Sequence, residues 1–276
     1  MCCRAIASSS RCDGFPARTE PASKTIVSGL DEISLAQLAT IAATALLTSV
    51  VGGVAGYGTG ALMPLVLVPI VGPEPVVPII SLSALFTNAG RVAAFRHRVD
   101  ARRALIVLAS SVPTCALGAW GYTRLSGRGA LVVIGGMLIA TVPLRRRMRR
   151  RGIAISHRAL AVAAFGWGPL AGGTVGAGII LLSLLMAAGL EGAAVVATDA
   201  VVSIGIGLTK FVTFGLAGVV TAKIVMVATL IGCMAFPGAF VARTLTERLP
   251  LHLHSALLDA VVIGGGAVMI INAVAT

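Results

Sequence analysis

Long runs of apolar residues, separated by short polar or basic segments, make up almost all of the chain after residue 34. The runs cover residues 35–72, 76–95, 104–123, 129–144, 159–189, 193–216, 219–242 and 255–275. A helix that spans a bilayer needs about 20 mostly apolar residues, and most of these runs are close to that length. The pattern therefore predicts an all-α membrane protein, a polytopic helical bundle of about eight hydrophobic segments.

The first and fifth runs are too long for a single span, and glycines interrupt both of them. The interrupting residues are Gly52, Gly53, Gly56, Gly58 and Gly60 in the first run, and Gly172, Gly173, Gly176 and Gly178 in the fifth. Each run could be one broken span or a re-entrant pair of half-helices. Single crossings would give eight spans with both termini cytoplasmic, whereas re-entrant hairpins would invert one half relative to the other.

The two glycine segments reveal an internal duplication, because residue n aligns with residue n + 118. The alignment pairs Gly58 with Gly176, Thr59 with Ala177 and Gly60 with Gly178. One further residue of shift aligns Arg91 with Lys210. The chain is thus predicted to contain two transmembrane repeats, residues 35–150 and 159–276, each opening with a glycine-broken helix. Residues 151–158 are a basic linker, and residues 1–34 are predicted to be a disordered polar tail.

The composition agrees with this interpretation and excludes a large soluble domain. The chain is 57% hydrophobic and 12% charged, with a mean hydropathy of +0.97. Its net charge of +12 lies mostly in loops, including seven basic residues between Arg145 and Arg158. Short basic loops between apolar runs are typical of the cytoplasmic side of inner-membrane proteins. We therefore expect a multi-pass protein of the cytoplasmic membrane that contacts lipid and does not bind nucleic acid, and a homo-oligomer is left open.

The apolar runs contain few polar side chains, and each needs a reason, because a charge at membrane depth is costly. Asp199, with Thr198 beside it, is a candidate for exchanging a proton or holding a co-transported cation; an ion pair without a transport role is the alternative. Arg91, Lys210 and Asn88 could contact an anion, although snorkelling or anchoring would also explain the two basic residues. Interrupting glycines expose backbone amides at helix N-termini, which favour anions. Close helix packing is the competing explanation for the glycines.

No hydrolase, zinc-protease or nucleotide-binding motif occurs in the sequence. We therefore expect no catalytic residues, no metal site and no cofactor. The predicted substrate-binding residues are Gly58, Thr59, Gly60, Asn88, Arg91, Gly176, Gly178, Thr198 and Lys210, with Asp199 as the ion-coupling residue. A duplicated hydrophobic chain with broken helices is the architecture of a secondary transporter, whose site lies between the repeats.

The glycine patterns also carry a family resemblance that covers residues 35–275. Gly56-Tyr57-Gly58-Thr59-Gly60-Ala61-Leu62-Met63-Pro64-Leu65 is similar to the first repeat of the sulfite exporter TauE/SafE family, the toluene sulfonate uptake permeases. The second half repeats the pattern from Gly172 to Leu182, followed by Thr198-Asp199 and Lys210. Two features depart from the family: the Gly58-Thr59-Gly60 spacing instead of three glycines, and Leu182 or Ser183 where proline is common.

The resemblance implies a secondary-active permease for a small anion, sulfite or an organosulfonate, driven by an ion gradient. It does not decide the anion, the direction of transport or the coupling ion. The alternatives are an anion channel, a permease for non-sulfur organic acids and a membrane scaffold that transports nothing. A channel would need rings of polar residues around its pore, which are sparse here.

Overall fold

The computed structural model describes residues 33–55, 59–151, 155–246, 263–264 and 266–274. Within these ranges the regular secondary structure is entirely helical, which confirms the predicted all-α bundle. The polar tail, except for Ile33 and Ser34, lies outside the described residues, as does most of the linker's first half, residues 152–154.

The helices of the first half are α1 Leu35–Ala55, α2 Thr59–Val71, α3 Val76–Phe95, α4 Ala101–Tyr122 and α5 Gly127–Arg151, with a 3₁₀ turn at Arg96–Arg98. Those of the second half are α6 His157–Gly173, α7 Gly178–Ala187, α8 Ala193–Leu216 and α9 Ala222–Thr246. Residues 266–274 are also helical. The second long glycine run is broken as predicted, between α6 and α7, whereas the stretch between α1 and α2, residues 56–58, lies outside the described residues.

Polar capping residues determine where several of the helices begin. At α1, the Gln37 backbone N–H donates to Ser34 Oγ at 3.2 Å, and the Ser34 N–H donates to Gln37 Oε1 at 2.9 Å. This reciprocal pair is a capping box, which satisfies two otherwise free amides of the first turn. Asp100 and Ser156 cap α4 and α6 by accepting from backbone N–H groups three residues further on.

Helix length separates the spanning helices from the half-helices. Within the described ranges, three helical segments are long and apolar enough to cross a membrane, namely Val76–Ala93, Ala101–Tyr122 and Ala193–Leu216. The half-helices α2 and α7 have only 13 and 10 residues. At 1.5 Å per residue they are about 20 and 15 Å long, well short of a hydrocarbon core of about 30 Å.

The second broken segment returns to the side of the bundle from which it started. The Ile155 backbone N–H, just before α6, donates to the Ala187 carbonyl at the end of α7 over 2.8 Å. Helices α6 and α7 therefore form a re-entrant hairpin, and the segment is not a single membrane-spanning helix. Their counterparts α1 and α2 also pack against each other.

The helices of the two halves pack against each other, and the most extensive of these contacts have equivalents when the halves are interchanged. Helix α1 packs along α9, and the corresponding helix α6 packs along α4. Helix α3 packs on α9, and α8 packs on α4. The equivalent helices α3 and α8 pack on each other. Each pairing has its partner under exchange of the halves, which is the pattern of an approximate two-fold axis through the α3–α8 contact.

The equivalent spanning helices α3 and α8 run in opposite directions. A Cβ atom built on Gly207 would lie 3.4 Å from the Ser81 carbonyl oxygen, so the start of α3 is beside the second half of α8. Beyond the other end of α3, the Asp100 N–H donates to Thr198 Oγ1, near the start of α8, at 3.0 Å. Because both helices are long enough to span a membrane, the equivalent helices of the two halves have opposite orientations.

Small residues allow the hairpin helix α6 to approach α4 very closely. A Cβ atom on Gly172 would lie 2.0 Å from the Cys115 carbonyl oxygen, and one on Gly118 would lie 2.2 Å from the Pro169 carbonyl oxygen. Such distances leave no space for a methyl group, as in the small-residue contacts of many membrane helices. Gly172 therefore serves helix packing and is not part of the chain break itself.

Candidate functional site

A cavity of about 190 Å³ lies where α3, α8 and the α6–α7 hairpin meet. Pockets for drug-sized ligands usually measure roughly 300–1,000 Å³, so this one suits a smaller molecule. Its polar and glycine lining residues are Gly60, Ser81, Ser83, Thr87, Asn88, Arg91, Thr174, Gly176, Gly178, Asp199, Ser203, Gly207 and Lys210.

Helices α3 and α8 contribute equivalent faces to the cavity. The lining positions on each follow the i, i+4, i+7, i+8, i+11 spacing of a single helix face. Across the repeats they pair Ile80 with Asp199, Ala84 with Ser203, Thr87 with Ile206, Asn88 with Gly207 and Arg91 with Lys210. The sequence alignment pairs Arg91 with Lys210. In the structure these two basic residues line the same cavity. Among the described lining residues, the only carboxylate is that of Asp199, which stands where the first repeat has an isoleucine.

The first turn of α2 and the break between α6 and α7 meet at the cavity. A Cβ atom on Gly60, in the first turn of α2, would lie 3.7 Å from the backbone nitrogen of Gly176. Gly176 has a φ of +82°, which L-residues with a side chain adopt only at a cost. Gly178 begins α7, and a Cβ atom there would meet nothing within 4 Å. The N-terminal ends of two half-helices, each with a partial positive charge of about +0.5, therefore adjoin the same cavity.

Lys210 holds the end of α6. Its side chain is buried, and Nζ donates to the carbonyl oxygens of Ala171 at 2.9 Å and Thr174 at 3.0 Å. Carbonyls at a helix C-terminus have no partner within the helix, and the end carries a partial negative charge. The ammonium group thus stabilises the broken helix end and retains one N–H, since lysine has three.

Trp167 also holds the backbone at the break between α6 and α7. Its indole Nε1–H donates to the Ala177 carbonyl, immediately before α7, at 2.9 Å, and the ring lines the cavity. Lys210 and Trp167 together satisfy three carbonyls of the segment Ala171–Ala177. The backbone at the cavity is therefore held in place by two buried side chains.

Asp199 is buried and incompletely paired. Its side chain is 5% exposed, and Oδ1 has no hydrogen-bond partner within the described part of the chain. The charge of Arg91 acts on it electrostatically, although the pair is not in direct contact. Among the described residues, the only ion pair within 4.0 Å joins Arg103 and Asp100. A buried oxygen without a partner is costly, and it marks Asp199 as a residue kept for a reason other than stability.

Arg91 and Asn88 lie on the α3 face of the cavity. Arg91 is partly buried, and no hydrogen bond of its guanidinium group is found within the described residues. The Asn88 amide nitrogen donates to the Ala84 carbonyl at 2.9 Å, which leaves its own carbonyl oxygen and one N–H for other partners. Arg91 is thus the cavity's cation with uncommitted donors.

Thr198 lies outside the cavity lining, although it adjoins Asp199 in sequence. It is buried, and its hydroxyl accepts from the Asp100 backbone N–H. At that junction the backbone N–H of Arg103 donates to Asp100 and, with the Arg103 side chain, holds the pKa of that carboxyl below its usual value. Of the other predicted residues, Gly58 lies outside the described residues and Thr59 is the first residue of α2.

Several lining residues were not predicted from the sequence, among them Trp167, Thr174 and Ser203. Ser203 could have been found from the helical spacing, because it lies one turn after Asp199 on the same face. Nothing in the sequence identifies Trp167 or Thr174, since their role depends on the path of the backbone between α6 and α7.

Comparison with known proteins identifies one family. A family model described as sulfite exporter TauE/SafE matches residues 41–270, which include every cavity-lining residue. No curated protein and no solved structure matches the chain.

Proposed function

We propose that this chain, which belongs to the sulfite exporter TauE/SafE family, moves a small anion, sulfite or an organosulfonate, through the cavity between its repeats. Family membership and the apolar helices make it a multi-pass membrane transporter for sulfur-containing anions. The particular anion and the route through the cavity are the parts that we propose.

One observation carries this proposal: uncommitted positive charge converges on a small cavity. Arg91 offers free donors, and the N-terminal ends of α2 and α7 add partial positive charge. Planar guanidinium donors suit the paired oxygens of a sulfite or sulfonate group, as they suit carboxylates and phosphates. We propose that the anion binds between Arg91, Asn88 and the backbone at Gly60, Gly176 and Gly178.

The inverted repeats support transport by alternating access. In transporters with this architecture, the site lies at the repeat interface and one repeat moves against the other around it. The cavity lies at that interface, between α3 and α8. An open channel is less well supported, because two half-helices meet at Gly60 and Gly176 in the middle of the bundle.

The inverted arrangement also suggests an orientation in the membrane. The contacts at Thr198 and Ile155 bring the loop after α3, the start of α6 and the loop after α7 to one side. The basic residues there include Arg96, Arg98, Arg102, Arg103 and Arg158. By the positive-inside rule, we propose that this side faces the cytoplasm and that the protein resides in the cytoplasmic membrane.

Uptake of labelled sulfite into proteoliposomes containing the purified full chain tests the function, with labelled acetate as the control anion. We expect saturable sulfite uptake. Arg91→Met should raise KM for sulfite about tenfold or more, because a hydrogen bond to a charged group contributes about 1.5–3 kcal/mol. Arg128→Met, at an exposed position at the start of α5, is the matched control and should leave KM unchanged.

Four results would contradict the proposal in different ways. Uptake that does not saturate would indicate a channel, and uptake of acetate in preference to sulfite would indicate a permease for organic acids. No uptake of sulfite or of any organosulfonate above empty liposomes would favour a scaffold. Equal KM values for Arg91→Met and Arg128→Met would remove Arg91 from the binding site.

A further inference from the structure

The two basic residues of the cavity are not equivalent in their surroundings. Lys210 already donates to two backbone carbonyls, whose negative ends partly balance its charge. Arg91 has no such partners among the described residues, and it shares the cavity with the carboxylate of Asp199, on which its charge acts. An anion that enters the cavity therefore meets Arg91 as its main cation, and Asp199 as the group that competes for that cation.

Competition for Arg91 links the charge of Asp199 to the presence of the anion. With Asp199 ionised, its negative charge offsets Arg91 and repels the anion inside a poorly hydrated cavity, where charges interact strongly. With Asp199 protonated, Arg91 is free to bind the anion. Linkage works in both directions, so a bound anion favours the protonated form of Asp199 by the same factor.

From this geometry we infer that Asp199 carries one proton together with each anion, so that the transporter is a proton–anion symporter whose coupling residue is Asp199. The inference rests on the proposed function and adds its coupling ion. On binding, a proton from water on one side adds to an Asp199 carboxylate oxygen. On release, the proton leaves to the other side with the anion, and Asp199 and Arg91 again neutralise each other.

The surroundings of Asp199 favour a proton over a metal cation. A single carboxylate can carry a proton by itself, whereas a sodium or calcium ion needs several oxygen ligands, and Asp199 is the only carboxylate among the described lining residues. Besides Arg91 and Lys210, the charged and titratable groups on the elements that pack against α8 near this end are Arg96, His97, Arg98, Asp100, Arg102 and Arg103. These lie in the exposed or partly exposed loop after α3 and at the start of α4, outside the cavity lining.

Two assays on the same proteoliposomes separate the coupling from the transport itself. Exchange of labelled for unlabelled sulfite without any gradient reports the anion site alone. Accumulation of sulfite under an imposed gradient of one pH unit, with a pH dye inside the vesicles, reports coupling. Wild type and variants are assayed at the same pH, with sulfite in the same protonation state. A difference in transport between them therefore reflects a difference in the protein.

We expect Asp199→Asn to keep exchange but to lose the gradient-driven dye signal, with accumulation lowered by about tenfold, the factor that one proton per anion supplies for one pH unit. Asp199→Glu, which keeps a carboxyl group, should retain coupling. Asp100→Asn, with its carboxyl outside the cavity, is the matched control and should couple as wild type does.

Several outcomes would overturn the inference. Proton-driven accumulation by Asp199→Asn, or wild-type accumulation that follows a sodium gradient and not the pH gradient, would each exclude Asp199 as the proton carrier. Loss of exchange in both Asp199→Asn and Asp199→Glu would make Asp199 a binding or structural residue. Wild-type protein that exchanges no anion at all would instead refute the proposed function.

Discussion

Replacement of Gly172 by alanine should destabilise the protein through a single steric contact. The new methyl carbon would lie 2.0 Å from the Cys115 carbonyl oxygen and 2.8 Å from the Ala119 nitrogen. Cβ atoms essentially never approach closer than 3.0 Å, so α6 and α4 would have to separate by 1.0 Å, the difference between 3.0 and 2.0 Å. Both neighbours are backbone atoms of a helix, which cannot turn aside as a side chain could.

The cost of that separation can be estimated and has an internal control. Overpacking of a close contact typically costs about 1–3 kcal/mol, and the long α4–α6 contact places Gly172→Ala at the upper end. Gly166 lies on the same helix and is exposed, and the methyl group that alanine would add there meets nothing within 4 Å. Alanine is favoured over glycine within a helix by about 1 kcal/mol, so Gly166→Ala should stabilise slightly.

The measurement is the thermal unfolding midpoint of each purified variant in the same detergent, followed by fluorescence-detected size exclusion. We expect the midpoint of Gly172→Ala to lie below that of wild type, and the midpoint of Gly166→Ala to lie at or above it. Equal midpoints for the two variants would refute the close approach of α6 to α4 and, with it, the assignment of Gly172 to packing.

Two further predictions follow from the hairpin and from the cap of α4. Gly176→Ala, at a φ of +82°, should cost about 1–2 kcal/mol at the break and reduce sulfite flux at normal membrane insertion, whereas Gly166→Ala, outside the cavity lining, should transport as wild type; normal flux through Gly176→Ala would contradict this. Asp100→Ala should lower stability at neutral pH by about 0.5–2 kcal/mol through loss of the α4 cap. Because the pKa of Asp100 is lowered on folding, the charge part of its contribution is present above the unfolded value of 3.8 and is lost as pH falls through the folded value. Unfolding midpoints of wild type and Asp100→Ala should therefore converge in acid, and a constant difference down to the lowest pH would argue against this interpretation.

The sequence by itself predicted the helices and the break between α6 and α7, and its internal alignment indicated a duplication. Runs of apolar residues mark membrane helices because unpaired backbone groups cannot be exposed to lipid, and this signal is local. The glycine clusters, together with the match of Arg91 to Lys210, were enough to indicate two repeats with a site between them. Several residues of that site, including Asn88, Arg91 and Asp199, could be chosen because polar groups are rare in these runs.

Only the tertiary structure decided how these elements are arranged and which residue does what. The hydrogen bond from Ile155 to Ala187 shows that the second break belongs to a re-entrant hairpin, and the contacts between α3 and α8 show that these helices are antiparallel. Similar glycines in one run also separate into different roles, since Gly172 packs against α4 whereas Gly176 turns the chain. Each of these facts depends on atoms that are far apart in the sequence, and such contacts leave no local pattern from which they could be inferred.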